Sequence, residues 1–234
     1  QLPDLALAIT AEKLALSPAQ TAGNASFNLD LSGDRLALSQ AKMAYNGGTL
    51  GGNLTLRRAA ANVSLSADAV FSGLDLSSLL LSGKADGQLS FAATGQTAAQ
   101  LAGSAGGSGS LTISAGVWRG QGTPALATVV AATERDEIKA DVTALQFALA
   151  NELDKYTRSI DAAPAPLALA NGAVKIGPGY LLPDRAAFML GYDVRTGMFS
   201  ANSSLTAAPP KNWVGSAPAI ELNWRGPFAA PTRS

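Results

Sequence analysis

The chain has 234 residues, and its 17 Lys and Arg balance 17 Asp and Glu to a net charge of zero. Only 15% of residues are charged, below the roughly 25% of ordinary soluble domains, and nothing resembles the basic footprint of a nucleic-acid binder. With no Cys and no His, disulfides and thiolate metal sites are excluded, and the commonest general base and metal ligand is missing.

Apolar and polar residues alternate from the start. Leu5, Leu7 and Ile9 form one such series and Leu14 and Leu16 another, before Ala22-Gly23-Asn24, which reads as a turn. Phe27, Leu29 and Leu31 then alternate with Asn28, Asp30 and Ser32. Successive side chains on a strand face opposite sides, so this pattern describes a sheet with one wet and one apolar face. Ser32-Gly33-Asp34 turns the chain into Leu36-Ala37-Leu38, and Met43 and Tyr45 follow. Asn46-Gly47-Gly48 is a hairpin signal. Leu50, Leu54 and Leu56 come next, then Val63 and Leu65, then Leu89, Phe91 and Ala93, then Leu111 and Ile113. Strand centres fall about ten residues apart and the connections are short, which predicts an antiparallel meander.

Two interruptions are helical. Residues 97–103 form a short helical turn, closed by the Gly-rich 103–109, which reads as a flexible loop. The larger interruption covers residues 123–155. Thr123 is its expected N-cap and Pro124 its first helical residue. After Glu134-Arg135-Asp136, a second helix places Ile138, Val142, Leu145, Leu149 and Leu153 on one stripe that packs on the sheet. Strands resume at 166–169, 173–176, 188–192, 199–205 and 220–224, and the Pro-rich 225–231 ends the sheet. Trp118, Trp213 and Trp224 are evenly scattered and read as packing residues.

The expected fold is therefore mainly β. It is a long curved antiparallel meander sheet with an apolar concave face, plus two or three short helices near residues 97–103 and 123–155. One elongated domain spans 1–234, as a meander over 1–122, a helical insertion over 123–157, and returning strands with a Pro-rich tail over 158–234. Starting at Gln1 without a methionine, the chain reads as a processed product or a fragment of a longer membrane-anchored protein. No run of about 18 apolar residues is present.

The search for chemistry comes up empty. Gly106-Gly107-Ser108-Gly109-Ser110 fails the Gly-x-Ser-x-Gly pattern at its last position, and a Ser-His-Asp triad needs a histidine. No phosphate-cradling loop and no Ca²⁺ loop appear. Asp30, Asp34 and Asp68 stand singly on the wet face, which leaves open only a carboxylate pair assembled in space. Asn24, Asn53, Asn62 and Asn202 begin Asn-x-Ser/Thr matches, which arise by chance in such a composition and are assigned no role. The reading is a protein without enzymatic activity, cofactor or metal.

Several stretches together carry a resemblance. One is Leu79-Leu80-Leu81-Ser82-Gly83-Lys84-Ala85-Asp86-Gly87-Gln88-Leu89-Ser90-Phe91. After a short helical turn comes Gly107-Ser108-Gly109-Ser110-Leu111-Thr112-Ile113-Ser114-Ala115-Gly116-Val117-Trp118-Arg119-Gly120. Beyond the helical insertion lie Leu169-Ala170-Asn171-Gly172-Ala173-Val174-Lys175, Pro218-Ala219-Ile220-Glu221-Leu222 and Gly226-Pro227-Phe228-Ala229-Ala230-Pro231-Thr232-Arg233. From about residue 81 to 233 the chain resembles the C-terminal domain of AsmA-like proteins of Gram-negative bacteria, while the first 80 residues share only the repetitive β character. The resemblance implies a periplasmic protein held in the inner membrane by an N-terminal helix that this sequence does not contain. Its relatives, including TamB-like proteins, resemble bridge-like carriers that move phospholipid toward the outer membrane. No catalytic residues come with that family.

Two functional expectations follow. The first is a lipid-binding β-groove whose lining includes Phe27, Leu29, Leu31, Leu36, Leu38, Leu54, Leu56, Leu65, Leu89, Phe91, Leu111 and Ile113. Its partner is phospholipid, alongside unspecified envelope proteins. The Leu- and Ala-rich lining suits sliding chains more than gripping one head group, because no convergent polar groups are evident. The second is a structural module, a closed β-sandwich or solenoid acting as an envelope scaffold or adhesin-like domain without a ligand. An outer-membrane barrel is disfavoured, because aromatic girdles and an even set of strands are not apparent.

Overall fold

The computed structural model describes residues 4–17, 20–77, 80–160, 164–181, 186–209 and 214–234. One 14-stranded antiparallel sheet runs through them. β1 (Leu5–Ser17) pairs with β2 (Gln20–Ser32), and β3 (Arg35–Tyr45), β4 (Gly48–Ala59), β5 (Asn62–Ser77) and β6 (Leu81–Gly95) add in chain order. α1 (Ala98–Ser104) separates β6 from β7 (Gly106–Arg119). Two helices follow, α2 (Thr123–Glu134) and α3 (Val142–Leu153). The free side of β7 is then shared. β8 (Thr157–Ile160) pairs with its C-terminal end, Gly116 opposite Ile160, and β9 (Ala165–Ala170) with its N-terminal end, Gly106 opposite Ala170. β10 (Ala173–Leu181), β11 (Ala186–Asp193), β12 (Met198–Thr206), β13 (Ala219–Pro227) and β14 (Thr232–Arg233) complete the meander.

The meander and its short helices are as the alternation predicts, but the strands are longer. The stretches around 5–9 and 14–16 are one strand, as are those around 36–38 and 43–45. Ala22-Gly23-Asn24 is not a turn and lies inside β2, with Asn24 at φ +48°.

The reason is a set of bulges. Where apolar positions are three residues apart rather than two, a residue with positive φ lies between them. Asn24 separates Ala22 from Ala25, Gln40 (φ +54°) separates Leu38 from Ala41, and Gly73 (φ +64°) separates Phe71 from Leu74. Ala115 (φ +48°) separates Ile113 from Gly116, and Gly177 (φ +109°) separates Ile176 from Gly179. Each coincides with a register shift against a neighbouring strand. An extra residue in a strand would flip everything beyond it to the other face; a bulge absorbs it, keeps the apolar series on one side and bends the strand. Ala22 and Ala25 accordingly share one apolar cluster with Met43. The bends accumulate. Leu76 on β5 and Tyr192 on β11 line the same cavity, although in a flat sheet five strand spacings would hold them roughly 24 Å apart. The sheet therefore curls with its apolar face inside.

The Gly-rich 106–110 is not a loop but the start of β7. Glycine is required there by close approach: a Cβ on Gly107 would lie 2.2 Å from the Ser90 carbonyl oxygen, and one on Gly109 would lie 1.9 Å from that of Gln88.

The helices differ from expectation in detail. Gly122, not Thr123, is the N-cap of α2, with Pro124 in its first turn. α3 starts at Val142, capped by Asp141 Oδ1, which accepts from the Ala144 N–H at 2.8 Å. Ile138 therefore lies outside the helix, and Val142 is 71% exposed. Of the expected stripe, Leu149 and Leu153 pack on the core. The tail does not end the sheet but turns back to add β14. From there Arg233 donates to the Ala150 carbonyl at 3.0 Å and pairs with Asp154 at 2.9 Å, tying α3 to the sheet. Trp213 and Leu79 lie outside the described residues.

Candidate functional site: an apolar concave face

Cross-strand partners in an antiparallel sheet point to the same side, so register alone traces the face. Leu7 lies opposite Leu29, Leu29 opposite Leu38, Leu38 opposite Leu54, Leu54 opposite Ala67 and Ala67 opposite Phe91. The same row continues through Gly107, Leu169, Val174 and Tyr192 to Phe199 on β12. A parallel row joins Leu5, Leu31, Leu36, Leu56, Leu65 and Ala93. Register puts Phe27, Leu29, Leu31, Leu36, Leu38, Leu54, Leu56, Leu65, Leu89, Phe91, Leu111 and Ile113 all on this one face.

Local pattern did not extend the face to Phe71, Leu74, Leu76, Ile176, Tyr192 and Phe199, which share it. The signal that finds them is register, because each sits opposite a residue already on the face. Phe71, for instance, faces Leu50 on one side and Gly87 on the other.

The reverse face is polar. Asn53, Asp68, Ser90 and Ser108 form one row across it. The Ser90 hydroxyl donates to Asp68 Oδ1 at 2.6 Å, and the Gln40 N–H at its bulge donates to Asn53 Oδ1 at 3.0 Å. Asp86 holds the bulge at Gly73, accepting from the Ser72 hydroxyl at 2.6 Å and the Gly73 N–H at 3.0 Å. Those two hydrogen bonds, the hydroxyl's the stronger influence, hold its carboxyl below the usual range.

The concave face has two unlike halves. Over β1–β5 its side chains are half-buried or exposed apart from the buried cluster of Ala22, Ala25 and Met43, with Leu5 at 45% and Leu7 at 42%. The helices pack elsewhere: α1 against β6, α2 against β12 and α3 against α2. From β7 onward most of the face is covered, with Tyr192 still 39% exposed. α2 buries Ala125, Leu126, Val129 and Ala132, and α3 adds Leu149 and Leu153. Trp118, 1% exposed, lies edge-on to Phe188 at 6.0 Å and against Trp224 at 5.4 Å between ring centroids. The Gln121 amide donates to the Ser203 hydroxyl within this core. Arg158, opposite Trp118, donates to the Leu181 carbonyl at 3.4 Å, and desolvation lowers the pKa of its guanidinium. At the junction of the halves lies a cavity of about 270 Å³ whose lining presents no polar atom.

Among the described residues no group of three or more His, Cys, Asp or Glu could hold a metal ion. Among them, too, no helix is long and apolar enough to cross a membrane. Fold and site together define a class: an open single-sheet meander curled around an apolar face, partly roofed by helices. No family model, curated protein or solved structure matches the chain.

Proposed function

We propose that this protein is an AsmA-like β-groove segment of the Gram-negative periplasm that binds or conducts phospholipid acyl chains between the inner and outer membranes, supporting outer-membrane biogenesis. The observation that carries the reading is the apolar row crossing the sheet from β1 to β12, with no helix of the described residues packed on it over β1–β5. Apolar surface left open in this way is a binding site or an aggregation liability. An acyl chain lying along it gains about 0.8 kcal/mol for each methylene withdrawn from water. The head group stays outside, because the face offers it no ring of polar partners.

The test is lipid extraction and native mass spectrometry of the purified protein. Phospholipid is expected to co-purify. Leu29→Asp together with Phe91→Asp should remove it while the circular dichroism of the strands is retained. A wild-type protein that carries no lipid and excludes apolar dyes ends the carrier reading. A second reading is favoured by the dry, aromatic-rich core under α2: a closed structural module of the envelope that holds no ligand.

A further inference from the structure

Resting on the groove reading, we propose that the cavity at the junction of the two halves seats the methyl end of a single unbranched alkyl chain, so that the groove is blind on its C-terminal side. The lining comes from strands distant in pairing order, and includes Leu76, Ile113, Ile176, Tyr192, Phe199 and Phe228. Phe199 and Phe228 close one side as an edge-to-face pair with centroids 5.4 Å apart.

Three observations select the occupant. The first is chemistry. A buried water needs two to four polar partners, and an apolar cavity offers none, so it stays dry or takes an apolar guest. The second is size. A liquid water's share of volume is about 30 Å³ and a methylene is similar, so about 270 Å³ holds roughly nine carbons of one chain. A head group does not fit that chemistry. The third is continuity. Leu76 stands on β5, beside the uncovered strands, in the same apolar series as Phe71 and Leu74. Beyond the cavity, the interior closes around Trp118, Phe188 and Leu205, each 2% exposed or less. A chain lying along the uncovered strands therefore meets the cavity and goes no further.

The probe is dodecanoic acid carrying a ¹³C label on its terminal methyl, added to the purified full chain and followed by NMR. The labelled methyl is expected to show nuclear Overhauser contacts to the rings of Phe199 and Phe228. Leu76→Trp, which narrows the cavity from the half-buried side, should erase those contacts and weaken dodecanoate binding at least tenfold. Ile176→Phe narrows it from the opposite wall and should do the same if Leu76→Trp fails to fold. Contacts only to Phe27 or Phe91 overturn the blind seat and leave the groove standing. If dodecanoate does not bind at all, the seat and the groove reading fall together.

Discussion

The first six strands and the strands from β7 onward are built from the same alternation, yet they end in different environments. Phe27 and Phe91 on the early strands are half-buried, whereas Phe188 and Phe199 on the later ones are buried. All three Trp lie in the later region, but the alternation itself does not separate the two. What does is the pair of helices between β7 and β8, which supplies Ala125, Leu149 and Leu153 to the core of one half alone. An apolar strand face becomes core or binding surface according to what lies over it.

That contrast can be broken most sharply by truncating aromatic residues on either side of it. Trp118→Ala removes a fully buried ring and should cost about 3–5 kcal/mol in denaturant unfolding. Phe27→Ala in the open half should cost less, about 1–2 kcal/mol, because its ring is only partly withdrawn from water. It should reduce bound lipid instead. Equal destabilisation by the two would mean that the early strands are covered in solution.

Next in size is the seam between the halves. Gly109→Ala drives a Cβ toward the Gln88 carbonyl and should destabilise the protein by about 1–3 kcal/mol, with amide exchange fastest in β6 and β7. A smaller effect of opposite sign is expected at the bulge in β7. Ala115 holds positive φ, so Ala115→Gly should raise stability by up to about 1 kcal/mol in thermal unfolding. A loss would show that the methyl group packs better than its strained backbone suggests.

The smallest effect is electrostatic and confined to the open half. Asp86 is held below its ordinary pKa of 3.8 by the Ser72 hydroxyl and the Gly73 N–H. A depressed carboxyl contributes stability that is present above the unfolded pKa and lost as pH falls through the folded one. Melting temperatures of wild type and Asp86→Asn should therefore differ at neutral pH and converge below that range. A gap that persists in acid would mean that the carboxylate does not act through its charge.

Much of the sheet was legible in the residues. Alternation at Phe27–Leu29–Leu31, the Asn46-Gly47 turn, where both residues have positive φ, and the helical break after Arg119 are local signals, and they were sufficient for the meander and the fold class, though not for strand lengths, β8 or β14. The twelve residues assigned to the apolar face share it because side-chain direction repeats every two residues along a strand. The bulges were not legible in the same way. Ala22-Gly23-Asn24 has turn composition, and pairing with β1 and β3 keeps it within the strand as a bulge. Glycines 107 and 109 look flexible in isolation but are required by the close approach of β6. Val142 fits the helical stripe by spacing, yet it stands at the start of α3, out in water.

The sequence by itself determined which side of each regular strand segment would be apolar, because that depends only on side-chain chemistry and the two-residue period of a strand. Only the tertiary structure decided how far the sheet would bend and which half would be roofed. Both depend on register between strands and on where two helices come to rest, and these are sums of weak contacts between residues far apart along the chain.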